Sequence, residues 1–140
     1  MKRIILYGSK YGTTKRYAEE LARRTGIPCR NCKEVNSLSS CKEVIHLGGI
    51  YAGQILGLAH TVKLLRQEPE AKLLVATVGL SDPADETNIH NIRDFIKKQL
   101  TEPLWDETKL FHLRGGIDYS KLSVAHRAMM GLLYSRVKKI

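Results

Sequence analysis

The chain has 140 residues, 43% of them hydrophobic, and a formal net charge of +9. This length argues for one domain with one core, spanning residues 1–140. No apolar run is long enough to cross a bilayer. The apolar segment at the start of the chain is too short for a signal peptide. We therefore expect a cytoplasmic protein. The charge favours anionic partners, but it does not rank nucleic acid, an anionic membrane surface, an acidic protein or a phosphorylated cofactor.

Short apolar runs alternate with amphipathic stretches along the chain. The predicted strands are 4–7, 27–30, 44–47, 73–78 and 110–113. The predicted helices are 13–24, 58–65, 89–100 and 121–139, the last of them basic. This alternation predicts right-handed crossovers and an α/β fold, in which a five-stranded parallel sheet of order 2-1-3-4-5 lies between two layers of helices.

Glycine follows four of these five predicted strands. The positions are Gly8, Gly48-Gly49, Gly79 and Gly115-Gly116. Ligands of open parallel sheets bind beyond the carboxyl ends of the strands, and glycine allows the backbone to approach a ligand closely. We therefore expect the functional site at this edge of the sheet.

The segment after the first strand combines hydroxyl groups with glycine at the start of a helix. Ser9, Thr13 and Thr14 supply hydroxyls, and Gly12 has no side chain to block an anion. A helix N-terminus presents unpaired N–H groups and a partial positive charge, so the segment favours a phosphate monoester over a simple helix cap. The Walker pattern, the dinucleotide fingerprint and the acidic residues of a receiver domain are absent, which leaves a mononucleotide.

The three cysteines and five histidines do not predict a catalytic or metal site. Cys29 and Cys32 have the spacing of a redox or zinc pair, but they do not follow the first strand, and no second such pair supplies further ligands. We expect ordinary thiols there. His46 and His112 fall within predicted strands, which favours structural roles. No general base, nucleophile or metal cluster is evident.

Four segments carry a family resemblance. Ser9-Lys10-Tyr11-Gly12-Thr13-Thr14 resembles the phosphate loop of flavodoxins. "GGIYAGQILG", residues 48–57, resembles the loop that holds the FMN ring in flavodoxin-like proteins, especially those related to the flavodoxin-type protoporphyrinogen oxidase. "TVGLSDPADETN", residues 77–88, fits the third loop, and "RGGIDYSKLSVAHRAMMGLL", residues 114–133, resembles the same subgroup.

The resemblance implies a flavodoxin-like three-layer sandwich that binds FMN. The cofactor-binding residues that it implies are Ser9, Lys10, Tyr11, Gly12, Thr13 and Thr14 at the phosphate, and Gly49, Ile50, Tyr51, Ala52, Gly53, Gly79, Leu80, Ser81 and Asp82 at the ring. Tyr51 is expected to stack on one face of the ring, with Ile50 or Leu80 on the other.

Three features depart from the family pattern. Flavodoxins are usually acidic, whereas this chain is basic, so its redox partner or its potential should differ. Ala52, not glycine, follows the expected stacking residue. The related subgroup usually carries one further helix, so either residues 121–139 fill the last helix position or one sheet face stays partly uncovered and favours a homodimer.

Three functions follow from these observations. The first is an FMN-binding protein that exchanges electrons with a redox partner, either a protein or a small molecule. Peripheral contact with a membrane is compatible with this function. The second is an oxidase or dehydrogenase of a tetrapyrrole such as protoporphyrinogen, whose carboxylates Arg114, Lys121 and Arg127 would attract. The third is a flavin-free module for an anionic partner, although no basic stretch interleaved with aromatic residues supports nucleic acid.

Overall fold

The computed structural model describes residues 2–9, 12–51, 54–79, 86–100, 108–114, 131–135 and 137. The strands are β1 (Lys2–Gly8), β2 (Cys29–Asn31), β3 (Cys41–Tyr51), β4 (Gln54–Ile55), β5 (Lys72–Gly79) and β6 (Lys109–Arg114). The helices are α1 (Thr13–Thr25), α2 (Leu58–Leu65) and α3 (Glu86–Gln99), with a 3₁₀ turn at Cys32–Glu34 and a helical segment at 131–135 and 137. Within these residues, no helix is long and apolar enough to cross a membrane.

Five parallel strands form the main sheet, in the order β2-β1-β3-β5-β6. Counted among the parallel strands alone, this is the predicted order 2-1-3-4-5, and the α/β fold class is confirmed. The sixth strand, β4, lies off this path and pairs antiparallel with the end of β3.

Each of the five parallel strands differs from its predicted range at one or both ends, and the largest difference beside the site is in the third strand. The third strand was expected to stop before Gly48-Gly49, but β3 continues to Tyr51 because both glycines stay in register with β5, opposite Thr77 and Val78. The second strand begins at Cys29 instead of residue 27, since proline has no N–H for a ladder. The carbonyl of Pro28 nevertheless accepts a hydrogen bond from the N–H of Ile5 at 2.8 Å.

The sheet buries a separate apolar cluster on each face. One cluster joins alternate residues of β1, β3 and β5 to α2 and α3, and the other joins the intervening residues to α1 and the C-terminal segment. Leu133 and Val137 of that segment are fully buried in the second cluster. Helical residues from the predicted basic helix therefore cover this part of the sheet face.

An ion pair ties the C-terminal segment to the amino-terminal end of the sheet. The guanidinium of Arg3 donates one hydrogen bond to the carboxylate of Glu43 at 2.9 Å and another to the carbonyl of Val137 at 2.6 Å. The Glu43 side chain is only 8% exposed. This contact lies at the opposite end of the strands from the predicted site.

Candidate functional site

The carboxyl ends of the central strands lie side by side at one edge of the sheet. Gly8 of β1 is in register with Gly48 of β3, and Gly49 is in register with Val78 of β5. Gly79 then lies opposite Arg114 of β6. The topology thus brings together three of the four glycine positions singled out in the sequence.

The first loop leads from β1 into the start of α1. Gly12 has φ +88°, a left-handed conformation that favours glycine, and its N–H donates to the hydroxyl of Ser9 at 2.9 Å. Among the described residues, no side chain caps α1, and its first turn carries no acidic residue. A β-carbon on Gly12 would meet no atom of the described residues within 4 Å. The start of α1 therefore presents N–H groups that suit an anion.

Thr14 connects this loop to the end of β3. Its side chain is buried, and its hydroxyl oxygen lies 3.3 Å from the position that a β-carbon on Gly49 would take. Thr13, next to it, is half-buried. The start of α1 and the backbone of β3 are thus in close contact at this point.

The second loop is a short hairpin that starts where β3 ends. Ile50 pairs with Ile55 and Tyr51 with Gln54, so that only residues 52 and 53 separate the paired positions. The N–H of Leu56 donates to the carbonyl of Gly49 at 2.8 Å. Through these contacts, residues 54–56 pair with the end of β3, from which the hairpin starts.

The hairpin lies directly against the ends of β1 and β3. A β-carbon on Gly8 would overlap the carbonyl group of Leu56, and one on Gly48 would lie 2.8 Å from the same oxygen. Gly57, at φ +78°, faces the sulfur of Cys32, which a β-carbon there would overlap. Glycine is therefore required at Gly8 by the close approach of the Leu56 backbone, and at Gly48 by that backbone together with Cγ2 of Ile55, which a β-carbon there would overlap.

His46 holds the hairpin from inside the core. Its Nε2 lies 3.0 Å from the carbonyl oxygen of Leu56, and its Nδ1 lies 2.9 Å from the hydroxyl of Thr61 on α2. Complete burial lowers the pKa of His46 to about 4. The neutral ring therefore donates from Nε2 to the carbonyl and accepts at Nδ1 from the threonine. The expectation of a structural role is consistent with this position, although the sequence did not indicate which segment His46 would hold.

The third loop begins where β5 ends. A β-carbon on Gly79 would lie 2.9 Å from Cδ1 of Ile50, so the Ile50 side chain crosses the end of β5. Ile50 also packs against the core cluster beneath α2 and α3. Thr77, two residues before Gly79, is fully buried, and its hydroxyl oxygen lies 2.8 Å from Nδ1 of His112 on β6. Burial lowers the pKa of His112, with a smaller contribution from Arg93.

The predicted site residues divide into two groups. Those that the structure describes at this edge are Ser9, Gly12, Thr13, Thr14, Gly49, Ile50, Gly79 and the backbone of Tyr51. Those that lie outside the described residues are Lys10, Tyr11, Ala52, Gly53, Leu80, Ser81 and Asp82, together with Lys121 and Arg127 of the tetrapyrrole hypothesis. The backbone of Arg114 ends β6, at the same edge.

The cysteines are surrounded by protein and not arranged around a metal site. Cys29 is half-buried, and Cys32 and Cys41 are buried. Burial raises the pKa of all three thiols, and that of Cys29 reaches about 11. Thiolates are therefore disfavoured at neutral pH. In the described part of the chain, no group of three or more histidine, cysteine or acidic side chains could hold a metal ion.

Comparison of the sequence with known protein families gives a match. The profile of the Flavodoxin domain family matches residues 4–139. No curated protein sequence matches the chain.

Three solved structures illustrate the similarity of fold. An FMN-dependent NADH-azoreductase from Bacillus anthracis, in complex with FMN, has a TM-score of 0.60 at 9% identity, with 98% of this chain and 99% of that chain covered. A flavodoxin from Streptococcus pneumoniae TIGR4 has a TM-score of 0.55 at 12% identity, with 97% and 99% covered. A flavodoxin from the domain Archaea has a TM-score of 0.50 at 14% identity, with 99% of each chain covered.

Proposed function

The chain belongs to the Flavodoxin domain family, and from this membership and the geometry of the strand ends we propose that it binds FMN and transfers electrons. One observation carries the proposal: α1 begins, without a side-chain cap among the described residues, beside a sheet edge that ends in glycine. A phosphate at the helix start and a flat ring along the glycine edge match the two parts of FMN.

The phosphate half of the site fits its group by charge and by shape. The first turn of α1 contains Lys15 and Arg16 and no carboxylate that would repel an anion. No atom of the described residues would contact a β-carbon on Gly12, so none of them blocks a phosphate from this part of the backbone. Ser9, Gly12, Thr13 and Thr14, together with Lys10 and Tyr11, would hold this group.

The part of the site proposed for the flavin ring exposes backbone that a flat ring can approach closely. Gly49 and Gly79 present backbone without side chains at neighbouring strand ends, and Tyr51 is the last residue of β3. We propose that Tyr51 covers one face of the ring and that Gly49, Ala52, Gly53, Ser81 and Asp82 line its polar edge. Ile50 is engaged with Gly79 and the core, so Leu80 is the better candidate for the opposite face.

The bound flavin would supply the redox chemistry, and the protein would hold it and tune its potential. No general acid or base is required for electron transfer, which needs a bound flavin with an accessible edge. The net charge of +9 supports a redox partner or substrate that is anionic. This distinguishes the proposed partner from the basic partners that acidic flavodoxins attract.

Purified protein tests the proposal directly. We expect a yellow protein whose absorption bands in the flavin region disappear on reduction, and whose cofactor, once released, is identified as FMN by chromatography. The apoprotein should bind added FMN with quenching of flavin fluorescence. A colourless protein that neither quenches nor retains FMN would exclude the proposal, and steeply salt-dependent binding of nucleic acid would then favour the flavin-free module.

A further inference from the structure

We propose that His46 is a positioning residue for the flavin, because it fixes the hairpin at residues 50–55 through the carbonyl group of Leu56. This inference rests on the proposed function and adds a residue that the family resemblance did not include. His46 does not reach the expected ring position itself. It acts through the backbone of the loop that carries Tyr51.

Leu56 is held through both of its backbone polar groups. Its N–H donates to the carbonyl of Gly49, and its carbonyl accepts from Nε2 of His46. The first bond closes the hairpin onto β3, and the second presses the peptide against Gly8 and Gly48. A shift of Leu56 would therefore move the hairpin relative to the ends of β1 and β3.

The histidine is itself held in one orientation. The hydroxyl of Thr61 donates to Nδ1, which leaves the proton on Nε2, where it points to Leu56. Thr61 and His46 are both fully buried, so an apolar replacement of either side chain leaves a polar group without water or partner. The Thr61–His46 and His46–Leu56 hydrogen bonds thus connect α2 to the hairpin.

The hairpin has one further side-chain anchor. The N–H of Ile55 donates to Oε1 of Gln99, at the end of α3, at 3.1 Å. Gln99 holds the outer side of the hairpin, and His46 holds the side that faces β1. The two anchors hold Ile55 and Leu56 at the sheet edge before any ligand arrives, which lowers the ordering cost of binding.

His60 provides a matched control on the same helix as Thr61. Its Nε2 lies 2.8 Å from the carbonyl of Val35, so it makes the same kind of bond as His46, but to the residue after the 3₁₀ turn instead of to the hairpin. Replacing either histidine with leucine removes one imidazole–carbonyl bond. Only the His46 variant should affect the second loop.

The experiment compares His46→Leu, His46→Gln, Thr61→Val and His60→Leu by two readouts. The first is the FMN dissociation constant of the apoprotein, measured by fluorescence titration. The second is the labelling rate of Cys32 in a background with Cys29→Ser and Cys41→Ser, because the Cys32 sulfur lies against Gly57 at the end of the loop. The thiol readout needs no flavin.

We expect His46→Leu and Thr61→Val to weaken FMN binding about tenfold or more, the effect of one unpaired buried polar group, and to speed Cys32 labelling. His46→Gln carries both a donor and an acceptor and should recover most of both losses. His60→Leu should change the FMN dissociation constant by no more than about twofold. It is a control for this readout alone, because Val35, which it would release, donates its N–H to the carbonyl of Cys32. If His46→Leu does not fold, Thr61→Val and His46→Gln carry the same comparison.

The inference is overturned if Thr61→Val and His46→Leu leave affinity and labelling unchanged, or if His60→Leu weakens FMN binding as much as they do. A parent protein that does not bind FMN defeats the proposed function instead. In that case, unchanged Cys32 labelling in the His46 and Thr61 variants would also overturn the role of His46 in holding the loop, whereas faster labelling would support it.

Discussion

The carbonyl group of Leu56 lies so close to Gly8 that a β-carbon on Gly8 would overlap it. The two residues are far apart in sequence, and the contact seats the β3–β4 hairpin on the end of β1. It explains why the first strand ends in glycine, independently of any ligand. The same contact makes Gly8 a sensitive position.

Gly8→Ala should destabilise the protein by about 1–3 kcal/mol, the usual cost of forcing an extra carbon into a packed site. It should also weaken FMN binding, because the hairpin must move away from β1. Chemical denaturation and FMN titration would measure the two effects. Gly131→Ala is the control, since a β-carbon there meets nothing within 4 Å and the residue is helical. Equal effects of the two substitutions would show that the contact with Leu56 is unimportant.

His46 should make stability depend on pH. Its pKa is about 4 in the folded protein and near the ordinary 6.5 in the unfolded chain, so between these values the unfolded chain binds more protons. Stability should therefore fall as the pH drops from about 6.5 to 4, by about 2–3 kcal/mol at pH 4.5. Denaturant unfolding at pH 7 and pH 4.5, compared between the parent and His46→Gln, isolates this group from His112 and the carboxylates. The variant should lose less stability, and an identical pH dependence would contradict the prediction.

The ion pair between Arg3 and Glu43 should stabilise the C-terminal segment. Arg3→Met leaves a nearly buried carboxylate and the carbonyl of Val137 without their partner, so we expect a loss of about 1–3 kcal/mol, discounted for the partial exposure of the arginine. Lys42→Met is the neighbouring control. It removes an exposed pair with Glu70 at 3.8 Å, which should contribute about 0–1 kcal/mol. Thermal unfolding of both variants would test the difference.

The arrangement of the main sheet could be predicted because strand and helix patterns alternate strongly. Apolar runs such as 73–78 identify buried parallel strands, and the handedness of the crossovers then limits the possible orders. The strand β4 was not predicted, since two residues carry no periodic pattern. Its pairing is created by contacts with Gln99 and His46, which lie on other elements.

The site was predictable where chemistry is local in sequence. The hydroxyl of Ser9 and the glycine at position 12 could be interpreted as a phosphate loop from adjacent positions alone. Gly8 and Gly48 were attributed to ligand approach, whereas the structure shows that they accommodate the backbone of Leu56. That contact depends on how the hairpin folds back, which no short sequence pattern encodes.

Thr14→Val tests the phosphate loop. The substitution keeps the shape of a buried side chain and removes its hydroxyl. If the hydroxyl binds phosphate, FMN affinity should fall by about 1–3 kcal/mol, while riboflavin, which lacks the phosphate, should bind as before. Calorimetric titration with both ligands would separate the cases. An equal loss for the two ligands would instead assign Thr14 to packing against Gly49, and an unchanged FMN affinity would remove it from the site.

Tyr51→Ala tests the ring loop. The backbone of Tyr51 pairs with Gln54 at the end of β3, next to the expected position of the ring. An aromatic ring over the flavin contributes about 0.5–1.5 kcal/mol beyond burial and disfavours the reduced anion more than the neutral oxidised form. Tyr51→Ala should therefore weaken FMN binding, raise the potential of the second electron and relieve the quenching of flavin fluorescence. Tyr51→Phe keeps the ring and should preserve all three properties. If affinity, potential and fluorescence are all unchanged in Tyr51→Ala, another residue stacks on the flavin, and since Ile50 is packed across Gly79, Leu80 becomes the next side chain to replace.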